Sequence, residues 1–211
     1  MGIFEEISGA LQQGRAPKVK ELVQQALDDA NSPKAILENG LLSGMAVIGE
    51  KFKNNEVFVP EVLIAARAMK AGVEVLQPHM TDADAVNKGK VVIGTVKGDL
   101  HDIGKNLVKL MMEGRGLTVI DLGVDVSADK FVDEAIANEV DIICCSALLT
   151  TTMNEMKAVV DLAKQKGVRE KIKIMVGGAP ITDTFCSNIG ADCYRVDAAS
   201  AADAALELCA G

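Results

Sequence analysis

The sequence holds one histidine in a setting that suits metal binding. Asp99 precedes His101 by two residues, and the chain of 211 residues contains only two histidines. A histidine that binds a metal through one ring nitrogen usually donates its other N–H to a carboxylate or a carbonyl. Asp99 and His101 could form such a pair. A helix-capping aspartate beside a solvent-exposed histidine gives the same pattern, and the tripeptide alone favours that simpler interpretation.

A metal site built only from side chains is not supported. The second histidine, His79, lies beside Pro78 in the other half of the chain, and the five cysteines form no Cys-x-x-Cys pair. A tetrahedral zinc site needs several such ligands at matching spacing. We interpret the cysteines as reduced thiols. One histidine would be enough only for a metal that brings its other ligands with it, as in a macrocycle.

Three further segments carry small or polar residues that could contact a ligand. Hydroxyl groups recur between Ser146 and Thr152, two glycines stand together at Gly177 and Gly178, and Ala199 lies in a run of small residues. Each has an ordinary explanation as a helix cap or a tight turn. Together they suit a bulky neutral ligand. The glycines after residue 93 match neither the dinucleotide-binding fingerprint nor a P-loop.

The elements that would position these residues are short apolar runs that alternate with helical patterns. The predicted strands cover Lys90–Thr95, Leu117–Leu122, Asp141–Ser146, Lys173–Val176 and, more weakly, Ala191–Val196. Apolar strands alternating with helices indicate a parallel sheet with right-handed crossovers. We therefore expect a five-stranded, doubly wound α/β domain over residues 88–211. In such a sheet, ligands bind at the carboxyl ends of the strands.

The first part of the chain shows helical spacing only. Apolar residues recur every three or four positions from Val19 to Ala30 and again from Leu37 to Phe52, and Pro60 and Pro78 mark the start and end of a last helix. With a short helix near residues 4–13, this predicts a four-helix bundle over residues 1–87. The polar segment 81–90 is expected to be a linker.

Composition excludes several classes of function. The formal net charge is −8 and the aromatic content is 3%, with no tryptophan. This argues against nucleic acid as a partner, because binding it relies on basic surfaces and aromatic stacking. The N-terminus lacks the basic start of a signal peptide, and no apolar stretch is long enough for a membrane span. We expect a cytoplasmic protein with no membrane partner.

In combination, the motifs resemble the cobalamin-binding module of methionine synthase and, more closely, the corrinoid proteins of methyltransferase systems. The matching motifs are Asp99-x-His101-x-x-Gly104, Ser146-x-Leu148, Gly177-Gly178 and the segment from Phe52 to Glu61. They cover nearly the whole chain in the family's order. The resemblance implies an N-terminal four-helix cap domain followed by a Rossmann-like, flavodoxin-like B12-binding domain.

The resemblance also assigns roles to residues. His101 would replace dimethylbenzimidazole as the lower axial ligand of cobalt, the base-off/His-on state, with Asp99 and Thr152 extending the relay. Methionine synthases carry serine at the Thr152 position. Phe52, Val59 and Val62, which spacing alone places in the bundle core, would cover the upper face. The other residues implied around the corrin and its nucleotide tail are Gly98, Leu100, Asp102, Gly104, Ser146, Leu148, Thr150, Gly177, Gly178 and Ala199.

The implied function is that of a methyl carrier subunit, not a stand-alone catalyst. The bound cobalamin, as methylcobalamin or cob(I)alamin, would carry a methyl group between a substrate-specific methyltransferase and a second one acting on tetrahydrofolate or a thiol coenzyme. A reductive activase is a further implied partner. The small subunit of an adenosylcobalamin mutase shares the motifs but lacks a helical cap. A cobalamin-sensing regulator needs a DNA-binding domain, for which residues 1–18 are too short.

Overall fold

The computed structural model describes residues 2–80 and 88–210, so most of the predicted linker lies outside the described residues. The chain divides into two compact units. The first holds the described residues before Lys88 together with Gly114–Gly116, and the second holds Lys88–Glu113 and the described residues from Leu117 onward. Within the part of the chain that the structure describes, no helix is both long and apolar enough to span a bilayer.

The first unit is helical. Its elements are α1 (Ile3–Gln12), α2 (Ala16–Asp28), α3 (Pro33–Ala35), a π-helix (Ile36–Leu42), α4 (Ser43–Lys53), α5 (Val59–Leu76) and a 3₁₀ turn (Gln77–His79). The third predicted helix is therefore a continuous run of α3, the π-helix and α4. Pro60 lies in the first turn of α5, where a missing N–H costs nothing.

Burial in the helical unit follows the spacing in the sequence. Ile7 and Leu11 of α1 are fully buried, as are Val19 and Val23 of α2, and α2 packs along α5. These positions lie three or four residues apart, so each helix presents one apolar stripe to its neighbours. The predicted four-helix bundle is confirmed.

The second unit is a parallel sheet covered by helices. Its strands are β1 (Lys90–Thr95), β2 (Thr118–Asp121), β3 (Ile142–Ser146), β4 (Lys173–Gly177) and β5 (Cys193–Tyr194). The helices are α6 (Ile103–Glu113), α7 (Ala128–Ala137), α8 (Asn154–Gln165), α9 (Asp183–Ile189) and α10 (Ala198–Ala210). The strand order is β2-β1-β3-β4-β5, and all neighbours are parallel. The predicted α/β fold class is confirmed, although β5 is shorter than expected.

The strand order reverses between β1 and β3. Thr95 at the end of β1 pairs in register with Ser146 at the end of β3, and Ser146 pairs with Gly177 at the end of β4. The loops that follow these three strands therefore leave the sheet at one edge. In open α/β sheets this is where ligands bind.

One face of the sheet depends on close packing between a glycine and an aromatic ring. Phe131 of α7 is fully buried, and a Cβ atom added to Gly94 of β1 would lie 2.8 Å from its Cζ and 3.0 Å from its Cε1. The ring therefore occupies the space that any larger residue at position 94 would need.

We expect Gly94→Ala to destabilise the protein by about 1–3 kcal/mol, because the added methyl group overpacks the ring. In a Phe131→Leu background the same substitution should cost clearly less, since the aliphatic side chain is shorter than the ring. Urea unfolding of the two single variants and the double variant measures this coupling. Additive effects, within about 0.5 kcal/mol, would contradict the packing argument.

Candidate functional site

The centre of the candidate site is a buried carboxylate at the carboxyl end of β1. Asp99 is fully buried, and its Oδ1 accepts a hydrogen bond from the backbone N–H of His101 at 3.1 Å. The same oxygen lies 2.7 Å from Nδ1 of the His101 ring. Asp99 and His101 therefore form the pair that the sequence suggested.

The other carboxylate oxygen is held by the loop after β3. Oδ2 of Asp99 accepts hydrogen bonds from the backbone N–H groups of Leu148 at 2.8 Å and Leu149 at 3.1 Å. Oγ1 of Thr152, a buried residue, lies 2.9 Å from the same oxygen and also 2.9 Å from the carbonyl oxygen of Leu149. The structure thus brings Asp99, His101 and Thr152 together, and it adds two backbone donors that the sequence did not indicate.

These contacts keep Asp99 ionised. Burial raises the pKa of the Asp99 carboxyl, but hydrogen bonds from the His101 ring and from the backbone N–H groups of Leu148, His101 and Leu149 outweigh it. The net result is a pKa well below the ordinary range for aspartate. Asp99 is therefore an acceptor toward His101 at neutral pH.

His101 presents the rest of its ring to solvent. Its side chain is 52% exposed, although Thr95 Oγ1 anchors its backbone by donating to the His101 carbonyl at 2.8 Å. Because an ionised Asp99 can only accept, the neutral ring carries its proton on Nδ1 and its lone pair on Nε2. Nε2 is then the nitrogen that can bind a metal.

The loop after β2 reaches the same place. Asp125 accepts a hydrogen bond from the backbone N–H of Gly98 at 2.7 Å through Oδ1, and its own N–H donates to the Asp99 carbonyl at 3.0 Å. Sequence reasoning missed Asp125. In the sequence, the only indication was that Asp125 follows β2, whose carboxyl end lies at the same edge of the sheet.

Apolar side chains in and next to the loops that carry His101 and its partners are exposed to solvent. Leu100 is 71% exposed and Ile103 is 78% exposed, and Leu148 and Leu149 are also well exposed. Ile103 and Leu149 were not among the predicted site residues. Large apolar side chains grouped at one sheet edge suit a ligand with an extended apolar face.

The two glycines after β4 differ in what they allow. A Cβ atom added to Gly178, whose φ is +132°, would lie 1.8 Å from the carbonyl oxygen of Ala147, so the backbone itself requires glycine there. A Cβ atom added to Gly177 would meet no atom within 4 Å. Gly177 therefore borders open space at the carboxyl end of β4, which a ligand can fill.

The remaining predicted residues are distributed as follows. Ser146 is half-buried at the end of β3, Thr150 is exposed in the loop after it, and Ala199 is buried in the first turn of α10. Asp102 and Gly104 are exposed at the start of α6.

The three predicted residues of the helical unit differ in exposure. Phe52 of α4 and Val59 of α5 are half-buried, and Val62 of α5 is fully buried. The structure therefore leaves part of Phe52 and Val59 accessible to a ligand, but no part of the Val62 side chain.

The available donors fit a metal that is already held by a macrocycle. In residues 2–80 and 88–210, no group of three or more His, Cys, Asp or Glu side chains could hold a bare metal ion. Cys144 and Cys145 are buried, and burial raises the pKa of both thiols. One oriented imidazole, exposed apolar side chains and open space beside Gly177 match a large cofactor that supplies its own metal.

Comparison with known proteins identifies that class of cofactor. Models of the B12 binding domain match residues 89–207 and residues 3–77, so both units are covered. The chain is 41% identical over 209 residues to dimethylamine corrinoid protein 1 of Methanosarcina acetivorans, covering 99% of this chain and 98% of the relative. It is 43% identical over 188 residues to trimethylamine corrinoid protein 2 of the same organism, covering 86% and 87% of the two chains.

Solved structures agree with this. The methanol:cobalamin methyltransferase complex MtaBC from Methanosarcina barkeri contains a chain that superposes with a TM-score of 0.91 at 31% identity, covering 99% of this chain and 80% of that chain. The resemblance seen in the motifs is thus confirmed over the full length. The chain belongs to the family of corrinoid proteins, and its cofactor is cobalamin or a related corrinoid.

Proposed function

We propose that the protein carries a methyl group on its corrinoid between two methyltransferases, with His101 as the lower axial ligand. The observation that carries this proposal is the arrangement of Asp99 and His101, in which a buried anion orients an exposed imidazole at the ligand-binding edge of the sheet. The cofactor supplies a cobalt ion that can accept a methyl group and give it up again. The chain's own residues have to hold and orient that cofactor.

Asp99 sets both the direction and the basicity of the imidazole. It accepts a hydrogen bond from the Nδ1–H group, with 2.7 Å between Nδ1 and Oδ1, so Nε2 keeps its lone pair and is the stronger donor toward a metal. Thr152 holds the far oxygen of Asp99, which limits rotation of the carboxylate. Because the His101 side chain is 52% exposed, the ring can approach or leave a ligand without disturbing the sheet.

The nucleotide tail of a base-off corrinoid needs a separate place. We assign it to the space beside Gly177, with Ser146, Leu148 and Thr150 as its neighbours. Ala199 is fully buried, so its part in this assignment is to support those neighbours. Support comes from the open space at Gly177 and from the register that puts Ser146 beside it. Gly178 contributes by keeping the backbone after β4 in a conformation that other residues rarely adopt.

The helical unit is assigned to the upper, methyl-bearing face of the cofactor, through Phe52 and Val59. Val62 is fully buried, so its part in this proposal is to support its neighbours on α5. The B12 binding domain model that matches residues 3–77 is consistent with a cofactor-related role for this unit.

The partners follow from the relatives. A chain similar to this one occurs in a complex with a methanol:cobalamin methyltransferase, and several relatives are named for dimethylamine or trimethylamine. We propose a methylamine or methanol methyltransferase as donor partner, a second methyltransferase as acceptor partner and a reductive activase.

To test the carrier function, the corrinoid-loaded chain is first reduced to its cob(I)alamin form with a strong chemical reductant. It is then mixed with purified methyltransferases for dimethylamine, trimethylamine and methanol and with their isotope-labelled substrates. We expect one of them to transfer label to the bound corrinoid, detected by mass spectrometry and by the visible spectrum. His101→Ala is the matched control and should be labelled more slowly. Labelling of free corrinoid at the same rate as the loaded protein would contradict a carrier role.

The tail assignment predicts a loss of affinity at Gly177. Gly177→Leu should leave the unfolding midpoint of the cofactor-free protein near that of wild type, because the added side chain enters open space. It should weaken corrinoid binding about tenfold or more. Isothermal titration measures this, with Gly9→Leu, another glycine with no atom near its Cβ position, as the control. Unchanged affinity in Gly177→Leu would place the tail elsewhere.

The role of the Asp99 charge predicts a pH-dependent stability. Asp99→Asn should cost about 2–3 kcal/mol at pH 7, since an amide cannot accept hydrogen bonds at both of its terminal atoms. The folded pKa of Asp99 lies below the unfolded value of about 4, so its stabilisation is present above that pH and is lost as the pH falls further. Urea unfolding of both proteins should therefore show the gap narrowing below about pH 4. If the difference in unfolding free energy between the two proteins does not change with pH, the charge of Asp99 is not the source of the stabilisation.

A further inference from the structure

We infer that Asp125, in the loop after β2, is a positioning residue that fixes Asp99 and through it the ring of His101. The inference rests on the proposed function, because it concerns how the axial imidazole is held. Nothing in the sequence motifs points to this residue. The contacts of its side chain and of its backbone do.

Asp125 contacts the backbone of Asp99 and that of the residue before it, Gly98. Its Oδ1 accepts from the N–H of Gly98 at 2.7 Å, and its N–H donates to the carbonyl of Asp99 at 3.0 Å. The remaining N–H of this stretch, that of Asp99, donates to the Val96 carbonyl at 3.1 Å. Three hydrogen bonds therefore hold the backbone of Gly98 and Asp99, and Asp125 makes two of them.

The backbone of Asp125 is held in a costly conformation to make these bonds. Its φ is +53°, a left-handed conformation that few residues other than glycine adopt, although aspartate and asparagine tolerate it best. Gly98, whose N–H donates to the Asp125 carboxylate, also has a positive φ, of +79°. Strain of this kind persists only where surrounding contacts enforce it, and it is concentrated at functional sites.

The loop that carries Asp125 is itself firmly attached. At its start, Oδ1 of Asp121 accepts from the Gly123 N–H at 3.0 Å and pairs with Nζ of the buried Lys105 at 2.6 Å. At its end, the Val126 N–H donates to the Thr95 carbonyl at 2.9 Å. Asp125 therefore transmits the position of a fixed loop to the residue that orients His101.

A residue that only closes the loop would need a different property from one that positions Asp99. Any residue that adopts the left-handed conformation could close the loop, and glycine adopts it most easily. A positioning role requires the oxygen that accepts from Gly98. The two roles are separated by Asp125→Gly, which removes both the strain and the oxygen, and by Asp125→Asn, which keeps an oxygen and tolerates the turn.

The first measurement needs no cofactor. The chain has two histidines, so nitrogen NMR of protein labelled with [15N]histidine reports only His79 and His101, and the exposed His79 serves as an internal reference. At mildly alkaline pH, where the rings are neutral, we expect wild type and Asp125→Asn to carry the His101 proton on Nδ1. In Asp125→Gly and Asp125→Ala the ratio of the two tautomers should shift about threefold to tenfold toward Nε2–H.

The second measurement uses protein loaded with cob(II)alamin. Electron paramagnetic resonance shows an axial nitrogen as a hyperfine splitting that changes from triplet to doublet on [15N]histidine labelling. In Asp125→Gly and Asp125→Ala, a smaller fraction of the cobalt should show the histidine-dependent splitting than in wild type. Asp125→Asn should restore the wild-type fraction. Glu139→Gly relieves the same kind of backbone strain elsewhere in the unit, since Glu139 has a φ of +51°, and should change neither readout.

The outcomes are distinct. If Asp125→Gly keeps the wild-type tautomer ratio and axial nitrogen, even with a lower unfolding midpoint, Asp125 only closes its loop and the inference is wrong. If His101→Ala keeps the histidine-dependent splitting, the proposed axial ligand is wrong, while the tautomer measurement still decides the role of Asp125. A shift of the tautomer ratio toward Nε2–H together with a smaller axial-nitrogen fraction in the glycine and alanine variants, both restored in Asp125→Asn, supports the inference.

Discussion

The constraint on which the rest of the site depends is a buried negative charge. Placing a carboxylate out of contact with water is unfavourable unless hydrogen bonds replace its solvation. Asp99 receives them from His101 on one oxygen and from Leu148, Leu149 and Thr152 on the other. These donors lie in loops after β1 and β3, about fifty residues apart in sequence but adjacent in the sheet. The strand order β2-β1-β3-β4-β5 is what makes this solvation possible.

The same arrangement combines a buried, firmly held carboxylate with an exposed imidazole. Asp99 is fully buried and held through its side chain and its backbone, whereas His101 keeps about half of its side chain in solvent. The proposed axial role of His101, in which its ring binds and releases a metal, requires freedom at Nε2 but a fixed tautomer at Nδ1. A buried anion with an exposed imidazole provides both, because the hydrogen bond defines the proton position without enclosing the ring.

Local sequence patterns predicted most of the fold. The strands β1 to β4, the helical stripes and the pair Asp99-x-His101 all depend on residues close together in the chain. The site features that were missed depend on distant ones. The N–H of Leu149 and the carboxylate of Asp125 become partners of the Asp99 loop only when three strands end side by side.

Two secondary-structure elements also differed from the prediction. The π-helix at Ile36–Leu42 was missed, since its apolar spacing fits an α-helix equally well. β5 was overestimated, because residues 191–196 are apolar enough for a strand but only Cys193–Tyr194 pair with β4.

The pair Gly177-Gly178 shows why a motif needs a structure before its parts can be assigned. As sequence, the two glycines are equivalent, and either could admit a ligand. In the fold, the two positions are under different steric constraints. Gly178 has a φ of +132° with the Ala147 carbonyl in the place of a side chain, so its identity is fixed by the backbone with or without a ligand. Gly177 is under neither restriction, and the fold alone would accept a larger residue there. A glycine that the fold does not need, next to one that it does, is best explained by something that occupies the vacant side-chain position, and we propose that this is the nucleotide tail of the corrinoid.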